Sequence, residues 1–258
     1  MKLGIDMGGM SIKMGLVNEE NKIIGRITIP TDLTVPYQTL VERMADAVRQ
    51  MLENAGMTLE QCGGIGIGSP GTIDAKQGVI LYSNNFGWEN VPIVEELKKH
   101  LDTRIEIAND ADAAALGEVC AGAAEGAENA VLLTLGTGVG SGVILDKKIF
   151  RGAMPGGCEL GHLSIRYDGI RCTCGRKGCL EAYASASALL RIAREKAAEH
   201  PESIMNEMCG NDLEQMNGKI PFDAAKAGDE AGMETVKEYE GYLACGIANV
   251  INTFRPER

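Results

Sequence analysis

The stretch 130–150, AVLLTLGTGVGSGVILDKKIF, contains two apolar runs joined by a glycine-rich turn and followed by a charged turn. The apolar runs predict strands over Ala130–Leu135 and Val143–Leu145, and Gly136–Gly142 predicts the turn between them. Glycine lets the backbone turn sharply and approach a ligand closely. The stretch therefore predicts a β-meander whose first turn is built for a close contact.

The opening of the chain repeats this layout. The pattern predicts a strand over Leu3–Asp6, a glycine turn at Met7–Ser11 and further strands over Ile12–Val17 and Ile23–Ile29. One glycine turn after a strand fits a plain hairpin as well as a phosphate loop. Two copies of one layout predict a duplicated domain and favour two loops that hold a nucleotide triphosphate, with Asp6 as a magnesium ligand.

Between and after these repeats, helical and strand patterns alternate, which is typical of an α/β protein. Strands are predicted over Ile65–Gly68 and Arg104–Ala108; helices are predicted over Tyr37–Ala55, Val91–Leu101, Ala111–Ala121, Ser185–Glu199, Phe222–Gly228 and Asp229–Thr253. The residues from Pro201 onwards are polar and less periodic, and the last helix carries an apolar stripe at Tyr239, Leu243, Ile247, Val250 and Ile251.

Asp110 and Asp112 lie at the start of the helix predicted over Ala111–Ala121, with Asp110 at or near its N-cap. Acidic residues at this end stabilise a helix, and for Asp112 capping is the favoured interpretation. Asp110 also follows a strand, where α/β folds place their ligand sites. The amides in Tyr82–Trp88 suit a polyhydroxyl ligand, although a surface turn fits nearly as well.

A cluster of potential metal ligands follows the second repeat. Cys172, Cys174 and Cys179 fall within eight residues, and His162 lies ten residues before the first of them. Three thiolates and one imidazole form a set that suits tetrahedral zinc, while three unrelated thiols and a core histidine are the alternative. Four protein ligands leave no open coordination position, so the pattern indicates a structural zinc ion.

Composition excludes several function classes. The formal net charge of -11 argues against a nucleic-acid-binding surface. No apolar run approaches about 18 residues, and the N-terminus shows no signal-peptide pattern, so the sequence predicts no membrane segment. Cysteines without paired spacing outside the cluster indicate a reducing, cytoplasmic environment.

Across essentially its whole length, the sequence resembles the ROK family of sugar kinases and related repressors. The resemblance rests on six motifs: Asp6–Gly9, Gly68–Gly71, Asn109–Asp110, Leu135–Gly140, Glu159–His162 and Cys172–Glu181. It implies an α/β, actin-like ATPase (ribonuclease-H-like) fold with two lobes around a cleft that binds a hexose and Mg-ATP. We place these lobes at residues 1–108 and 109–258.

The resemblance also implies roles for individual residues. Asp110 is the expected catalytic base. The expected sugar ligands are Gly71, Asn84, Asn109, Asp110, Glu159, His162 and Glu181. The expected phosphate-loop residues are Asp6, Gly8, Gly9, Ser11 and Lys13 in the first loop and Gly136, Thr137 and Gly138 in the second. The expected ligands of a structural Zn²⁺ ion are His162, Cys172, Cys174 and Cys179; His162 would use its second ring nitrogen for the sugar.

Two features depart from the family pattern. The first loop carries Met10 where members of the family usually have threonine. Members also usually continue past the position of Arg258 into a strand, a glycine-rich adenine-binding loop and a final helix. The resemblance therefore implies either a chain that is incomplete at its end or a fold that is completed differently, for instance by a partner subunit.

The implied activity is ATP-dependent phosphorylation of a hexose, with glucose expected. Kinases for N-acetylmannosamine or fructose and a non-catalytic sugar-binding regulator are the alternatives. A homodimer or homotetramer is expected from the resemblance.

Overall fold

The computed structural model describes residues 1–258 and contains eleven strands and eight α-helices. The strands are β1 (Lys2–Met7), β2 (Ser11–Val17), β3 (Ile23–Pro30), β4 (Ile65–Ser69), β5 (Thr72–Asp74), β6 (Val79–Ser83), β7 (Trp88–Val91), β8 (Ile105–Asn109), β9 (Ala130–Leu135), β10 (Val139–Leu145) and β11 (Lys148–Ile149). The helices are α1 (Tyr37–Asn54), α2 (Ile93–Lys98), α3 (Asp110–Ala121), α4 (Glu181–Ala184), α5 (Ala186–Glu199), α6 (Ile204–Met208), α7 (Ile220–Lys226) and α8 (Glu230–Phe254).

The chain forms two compact units. Unit 1 comprises Met1–Leu132, Gly142–Cys158 and Glu257–Arg258; unit 2 comprises Leu133–Ser141 and Glu159–Pro256. The boundaries at 132/133 and 141/142 fall within β9 and β10, so continuous strands contribute residues to both units. The predicted lobes at residues 1–108 and 109–258 follow a different division of the chain and stay a prediction.

A five-stranded sheet in the order β3-β2-β1-β4-β8 forms the centre of unit 1. The strands β1, β2 and β3 form the predicted antiparallel meander, whereas β1, β4 and β8 run parallel. In β1, Leu3, Ile5 and Met7 are buried while alternate residues are exposed, because successive side chains of a strand point to opposite faces. The parallel pairing brings the carboxyl ends of β1, β4 and β8 to one edge of the sheet.

Unit 1 also contains a small antiparallel sheet, β5-β6-β7, that the sequence pattern did not predict. The segment Ser69–Asp74 contains the turn-forming residues Pro70 and Gly71, yet it includes strand β5. Strands of three to five residues are too short to show a convincing alternation of apolar and polar positions. The expected loop in Tyr82–Trp88 is confined to the four residues between β6 and β7.

The predicted repeat of the strand layout is confirmed. The order β11-β10-β9 matches the order β3-β2-β1, and Asp146 and Lys147 form the charged turn with positive φ angles of 51° and 61°. Strand β10 begins at Val139, four residues earlier than predicted, because Gly140 and Gly142 continue the strand. A side chain at position 142 would lie 2.4 Å from the carbonyl oxygen of Ala111 in α3, so glycine permits this close approach.

In unit 2, helices α5, α7 and α8 form most of the helical core. Asp229 caps α8 by accepting a hydrogen bond from the backbone N–H of Gly232, and Arg255 ends the helix with a φ of 47°. The predicted apolar stripe of α8 is only partly a core: Tyr239 and Val250 are buried, but Ile247 and Ile251 are exposed. Helix α6 lies in the polar segment for which we predict no element.

None of the helices combines the length and the apolar composition that a membrane span requires.

Candidate functional site

The first glycine loop, Met7–Met10, joins β1 to β2 in unit 1. The backbone N–H of Gly8 donates to the carbonyl oxygen of Ser11 at 3.0 Å, which closes the turn. A Cβ at position 8 would lie 2.8 Å from that oxygen, so the turn requires glycine. Thr31, after β3, holds the loop from outside: its hydroxyl donates to the Gly8 oxygen at 2.6 Å and its N–H to the Met10 oxygen at 3.1 Å.

The loop leaves two successive backbone donors unused. The N–H groups of Gly9 and Met10 make no hydrogen bond in the structure. Successive free N–H groups form a concavity that binds anions. Asp6 and Lys13 are cross-strand neighbours beside the loop, and their side chains lie 4.0 Å apart and are exposed. The arrangement therefore fits a phosphate group together with a cation held by a carboxylate.

Asp110 lies at the same edge of the sheet. Asp6 pairs with Gly68, and Ser69 pairs with Asn109, so the three parallel strands end side by side at spacings of about 4.8 Å. Asp110 is the first residue of α3 and is exposed. Its Oδ1 accepts from the N–H of Ala111 at 2.9 Å, while its Oδ2 makes no hydrogen bond in the structure. One carboxylate oxygen is thus available to accept a proton from a ligand.

The N-cap of α3 is Asn109 and not Asp110. The side-chain oxygen of Asn109 accepts from the N–H groups of Ala111 and Asp112, and its amide donates to the carbonyl oxygen of Gly71 at 3.2 Å. Asparagine is as good an N-cap as aspartate, and its amide adds a donor that a carboxylate lacks. Asn109 therefore fixes the start of α3 and the turn that contains Gly71.

Gly71 and the amide pair Asn84–Asn85 form the rest of this region. Gly71 has a φ of 113°, and a Cβ there would lie 2.2 Å from the Tyr82 carbonyl oxygen, so the β4–β5 turn packs directly on β6. The Tyr82 hydroxyl lies 3.4 Å from the side-chain oxygen of Asn84, which is exposed. The Asn85 amide nitrogen lies 3.9 Å from a Cβ placed on Gly9. Unit 1 thus brings the amide pair next to the first glycine loop.

The second glycine loop, Gly136–Gly138, belongs to unit 2 and follows β9. Its Thr137 and Gly138 N–H groups make no hydrogen bond in the structure, as for Gly9 and Met10 in the first loop. The N-terminus of α5 holds the loop: the N–H of Ala186 donates to the Gly136 oxygen at 2.8 Å, and the Ser187 hydroxyl donates to the Thr137 oxygen at 2.9 Å. This loop also presents an anion-binding pair of donors.

The predicted metal ligands come together in unit 2. Ligand atoms of His162, Cys172, Cys174 and Cys179 all lie within 4.8 Å of one another. The sulfurs of Cys174 and Cys179 are 3.6 Å apart, and His162 Nδ1 lies 3.7 Å from the Cys172 sulfur. Zn–S bonds of about 2.3 Å in a tetrahedral site place two sulfurs about 3.8 Å apart, so this set fits zinc.

The backbone between the cysteines supports this arrangement. Gly175 and Gly178 adopt φ angles of 90° and 76°, as expected for a tight knuckle, and a Cβ at position 178 would overlap the Arg166 carbonyl group. We call residues Cys172–Cys179 the knuckle. Because His162 presents Nδ1 to the thiols, its Nε2 is the nitrogen left for another partner.

The environments of the three thiols differ. Burial raises the pKa of Cys179 to about 12 and also raises the pKa of Cys172. The pKa of Cys174 is lowered, chiefly because the backbone N–H of Arg176 hydrogen-bonds to its sulfur. Without a cation, the two buried thiols therefore stay protonated at neutral pH, and binding of zinc would release their protons.

Comparison with known proteins identifies the family of this chain. The sequence model of the ROK family matches residues 2–258. The chain belongs to the ROK family. It is 36% identical to a glucokinase of Thermotoga maritima over 256 aligned residues. The alignment covers 99% of this chain and 79% of the glucokinase. A xylose repressor of Caldicellulosiruptor bescii is 30% identical over 255 residues, covering 99% of this chain and 63% of the repressor.

A solved ROK structure agrees with this assignment. The ROK family glucokinase from Streptomyces griseus, in complex with glucose and AMPPNP, is 31% identical and superposes with a TM-score of 0.77, covering 99% of this chain and 80% of that one. The expected actin-like ATPase fold with two lobes is thereby confirmed.

The ROK site residues expected from the sequence fall into two groups by unit. Those in unit 1 are Asp6, Gly8, Gly9, Ser11, Lys13, Gly71, Asn84, Asn109 and Asp110; those in unit 2 are Gly136, Thr137, Gly138, Glu159, His162, Cys172, Cys174, Cys179 and Glu181. Glu159 is exposed and precedes a short 3-10 turn that ends at His162. The N–H of Leu160 in this turn donates to the Ser141 hydroxyl at 2.9 Å.

Sequence reasoning missed three polar residues that support the site: Thr31, Thr173 and Ser187. Thr31 follows the third strand of the first repeat, and a polar residue at a strand end is the signal that led to Asp110. Asn85 belongs to the amides in Tyr82–Trp88 that the sequence indicated, although only Asn84 was expected to bind the sugar. Thr173 and Ser187 carried no such signal: the partner of Thr173 is Glu181, eight residues on, and the partner of Ser187 is Thr137, fifty residues earlier.

Proposed function

We propose that the protein is an ATP-dependent hexose kinase and that glucose is its substrate. The observation that carries this proposal is the edge of the unit 1 sheet. There Asp110, an exposed carboxylate with one free oxygen, follows β8, which runs parallel to β1, the strand that contains Asp6 and leads into the first glycine loop. The Thermotoga maritima glucokinase and the glucose-bound Streptomyces griseus enzyme support this assignment.

In the proposed reaction, Asp110 Oδ2 accepts a hydrogen bond from a hexose hydroxyl and takes its proton as that oxygen attacks the γ-phosphorus. The bond from phosphorus to the bridging oxygen breaks, and ADP leaves. Asn84 binds sugar hydroxyls through its exposed amide. Asn109, whose side-chain oxygen is used by the α3 cap, has one amide hydrogen left for the sugar.

ATP bound with Mg²⁺ supplies the phosphoryl group. The residues that would hold it are the free N–H groups of Gly9 and Met10, with Asp6 toward the cation and Lys13 toward a phosphate oxygen. In unit 2, the free N–H groups of Thr137 and Gly138 are also proposed phosphate donors. Backbone donors fixed in place need no reorganisation during the reaction.

In unit 2, Glu159, His162 and Glu181 stay predicted sugar ligands. Zinc, when bound, supplies a cross-link between the knuckle and His162, which orients the imidazole for a sugar contact through Nε2. The cytoplasmic location and the homodimer or homotetramer also stay predictions.

The proposed function is tested by ADP release from the purified 258-residue chain with Mg-ATP and a panel of glucose, N-acetylmannosamine, N-acetylglucosamine, fructose and allose. Glucose-dependent turnover with the highest kcat/KM for glucose supports the proposal. A higher kcat/KM for N-acetylmannosamine or fructose would contradict glucose as the substrate and would still support kinase activity.

The role of Asp110 is tested with Asp110→Asn, which removes the base and keeps the size of the side chain. We expect kcat to fall by about 10²- to 10⁴-fold, while glucose still raises the thermal midpoint. Asp102→Asn, an exposed carboxylate before β8, is the matched control and should keep full turnover. Full turnover in Asp110→Asn would exclude Asp110 as the base.

A sugar-binding regulator is the second candidate, because Met10 places a thioether in the first glycine loop and the Caldicellulosiruptor bescii relative is a repressor. This candidate predicts that a sugar raises the thermal midpoint while no sugar of the panel causes ADP release. Turnover by the wild-type chain would exclude it.

A further inference from the structure

Glu181 connects two parts of unit 2 that are distant in the sequence. It is the first residue of α4, directly after the knuckle. Its Oε2 accepts a hydrogen bond from the backbone N–H of Val139 at 3.0 Å, immediately after the second glycine loop. Its Oε1 accepts from the Thr173 hydroxyl at 3.2 Å and lies 3.5 Å from the Cys172 sulfur, both in the knuckle. One carboxylate therefore contacts the loop with one oxygen and the knuckle with the other.

The loop is packed tightly on this carboxylate. A Cβ at Gly138 would lie 2.3 Å from Glu181 Oε2, so a larger residue at position 138 would have to displace the carboxylate or the loop. Gly138 has one of the two free N–H groups of the loop. The position of that donor is thus tied directly to the position of Glu181.

The contact to Val139 is costly to lose. Val139 is 4% exposed, so water has little access to replace the acceptor of its N–H group. A hydrogen bond to a carboxylate is stronger than one between neutral groups, and a buried donor without a partner is unfavourable. The start of β10 is therefore set by Glu181 as well as by its neighbours in the sheet.

We propose that Glu181 is a positioning residue for the second glycine loop and that it transmits the geometry of the knuckle to the backbone donors for nucleotide phosphate. This inference deepens the proposed function and rests on it where nucleotide binding is concerned. It adds a role to the predicted contact of Glu181 with the sugar. The knuckle thereby sets the affinity for the nucleotide although none of its residues needs to contact it.

Three variants separate this role from a general loss of structure. Glu181→Ala removes both acceptors; Glu181→Gln keeps a side-chain oxygen that accepts from Val139. Thr173→Val removes the stronger of the two contacts to the knuckle and leaves the one to Cys172. Glu240→Ala, an exposed carboxylate of α8 in the same unit, is the matched control.

The first measurement is amide hydrogen exchange, which needs no turnover. In Glu181→Ala we expect the Val139 amide to exchange at least about tenfold faster, and in Glu181→Gln at close to the wild-type rate. Thr173→Val should give an intermediate rate. The Leu160 amide, bonded to Ser141 in the same unit, should stay unchanged in all of them and reports any global opening. The metal content of each variant is measured in parallel.

The second measurement is the dissociation constant of Mg-ADP by calorimetry, together with KM for ATP and for glucose. We expect Glu181→Ala to weaken ADP binding and raise KM for ATP by about tenfold, with Glu181→Gln within about twofold of wild type. An effect confined to KM for glucose, with unchanged exchange at Val139, would overturn the inference and leave Glu181 as a sugar ligand alone.

If Glu181→Ala does not fold, Thr173→Val carries the test, and equal exchange at Val139 in Thr173→Val and wild type overturns the link through Thr173. Wild-type binding of Mg-ADP without transfer to any sugar overturns the proposed function alone. Failure of the wild type to bind Mg-ADP overturns both.

Discussion

The two glycine loops arise from the same strand layout, yet they are held in different ways. The loop Met7–Met10 is fixed by residues of its own meander: Ser11 closes the turn and Thr31, one strand later, bonds to Gly8 and Met10. The loop Gly136–Gly138 is fixed by α5 through Ala186 and Ser187, and its continuation at Val139 by Glu181. Both loops present two free N–H groups in succession.

The two loops therefore present the same feature, a pair of free N–H groups, but contacts close in the sequence hold the first loop and contacts distant in the sequence hold the second. The first loop depends on contacts within about thirty residues of chain and should form whenever the meander forms. The second depends on residues more than forty positions away, next to the predicted zinc ligands. We therefore expect perturbations of the knuckle to change the second loop and to leave the first loop intact.

Loss of a metal ligand should give the largest effect. Cys179→Ala removes a buried member of the cluster, and we expect less than one-tenth of the wild-type zinc content and a destabilisation of several kcal/mol. The bonded amides of Gly136 and Val139 at the second glycine loop should then exchange faster, while the amide of Gly8 in the first loop keeps its wild-type rate. Metal analysis, thermal melting and hydrogen exchange measure these three quantities.

Cys245→Ala is the control, because this cysteine is exposed in α8 of the same unit and lies outside the cluster. It should keep the wild-type metal content and thermal midpoint. If exchange became equally faster in both loops of Cys179→Ala, the idea that only the second loop depends on the knuckle would be wrong.

The hydroxyl of Thr31 tests the local side of the comparison. Thr31→Val keeps the shape of the side chain but removes the donor to Gly8, whose carbonyl oxygen accepts this hydrogen bond at 2.6 Å. A hydrogen bond of about 1 kcal/mol corresponds to roughly fivefold in affinity, so we expect KM for ATP to rise by about that factor. Thr31→Ser should restore the wild-type KM. An unchanged KM in Thr31→Val would mean that the backbone contacts alone hold the first loop.

The stability of unit 2 should also be sensitive to acid. Asp229 caps α8 in unit 2. Burial favours its neutral form, but hydrogen bonds from Ser203, Gly232 and Ile204 outweigh that effect and lower its pKa below the ordinary value of 3.8. Because the folded-state pKa lies below the unfolded-state value, this stabilisation is present above about pH 4 and is lost as the pH falls through the folded-state pKa.

Asp229→Ala should therefore lower the free energy of unfolding by about 1 kcal/mol at pH 7, with the difference from wild type shrinking below pH 4. Denaturant unfolding at several pH values measures this. Glu240→Gln, which changes an exposed carboxylate of the same helix, should behave like wild type. A difference between Asp229→Ala and wild type that stays constant down to pH 3 would exclude titration of Asp229 as its source.

The same contrast explains how much of the molecule could be predicted from the sequence. The meanders, the position of Asp110 and the His–Cys cluster were predictable, because each follows from a local pattern of apolar runs, glycines or ligand spacing. Asp110 was predicted at or near the N-cap of α3 and lies next to it; the sequence did not single out Asn109 as the cap because asparagine and aspartate cap equally well. The contacts of Glu181 and Ser187 were not predictable, since only the folded chain brings them to the second loop.

Met10 gives the smallest and most local test. Its side chain is 91% exposed, so it contributes almost nothing to the core, and replacing it should leave the free energy of unfolding within about 0.5 kcal/mol of wild type. Met10→Thr adds a hydroxyl next to the free N–H groups of the first loop, and one added hydrogen bond to phosphate should lower KM for ATP by roughly threefold. Met10→Ala, which adds no hydroxyl, should leave KM unchanged. A lower KM in both variants would mean that the methionine obstructs the loop, and the missing hydroxyl would then not be the cause.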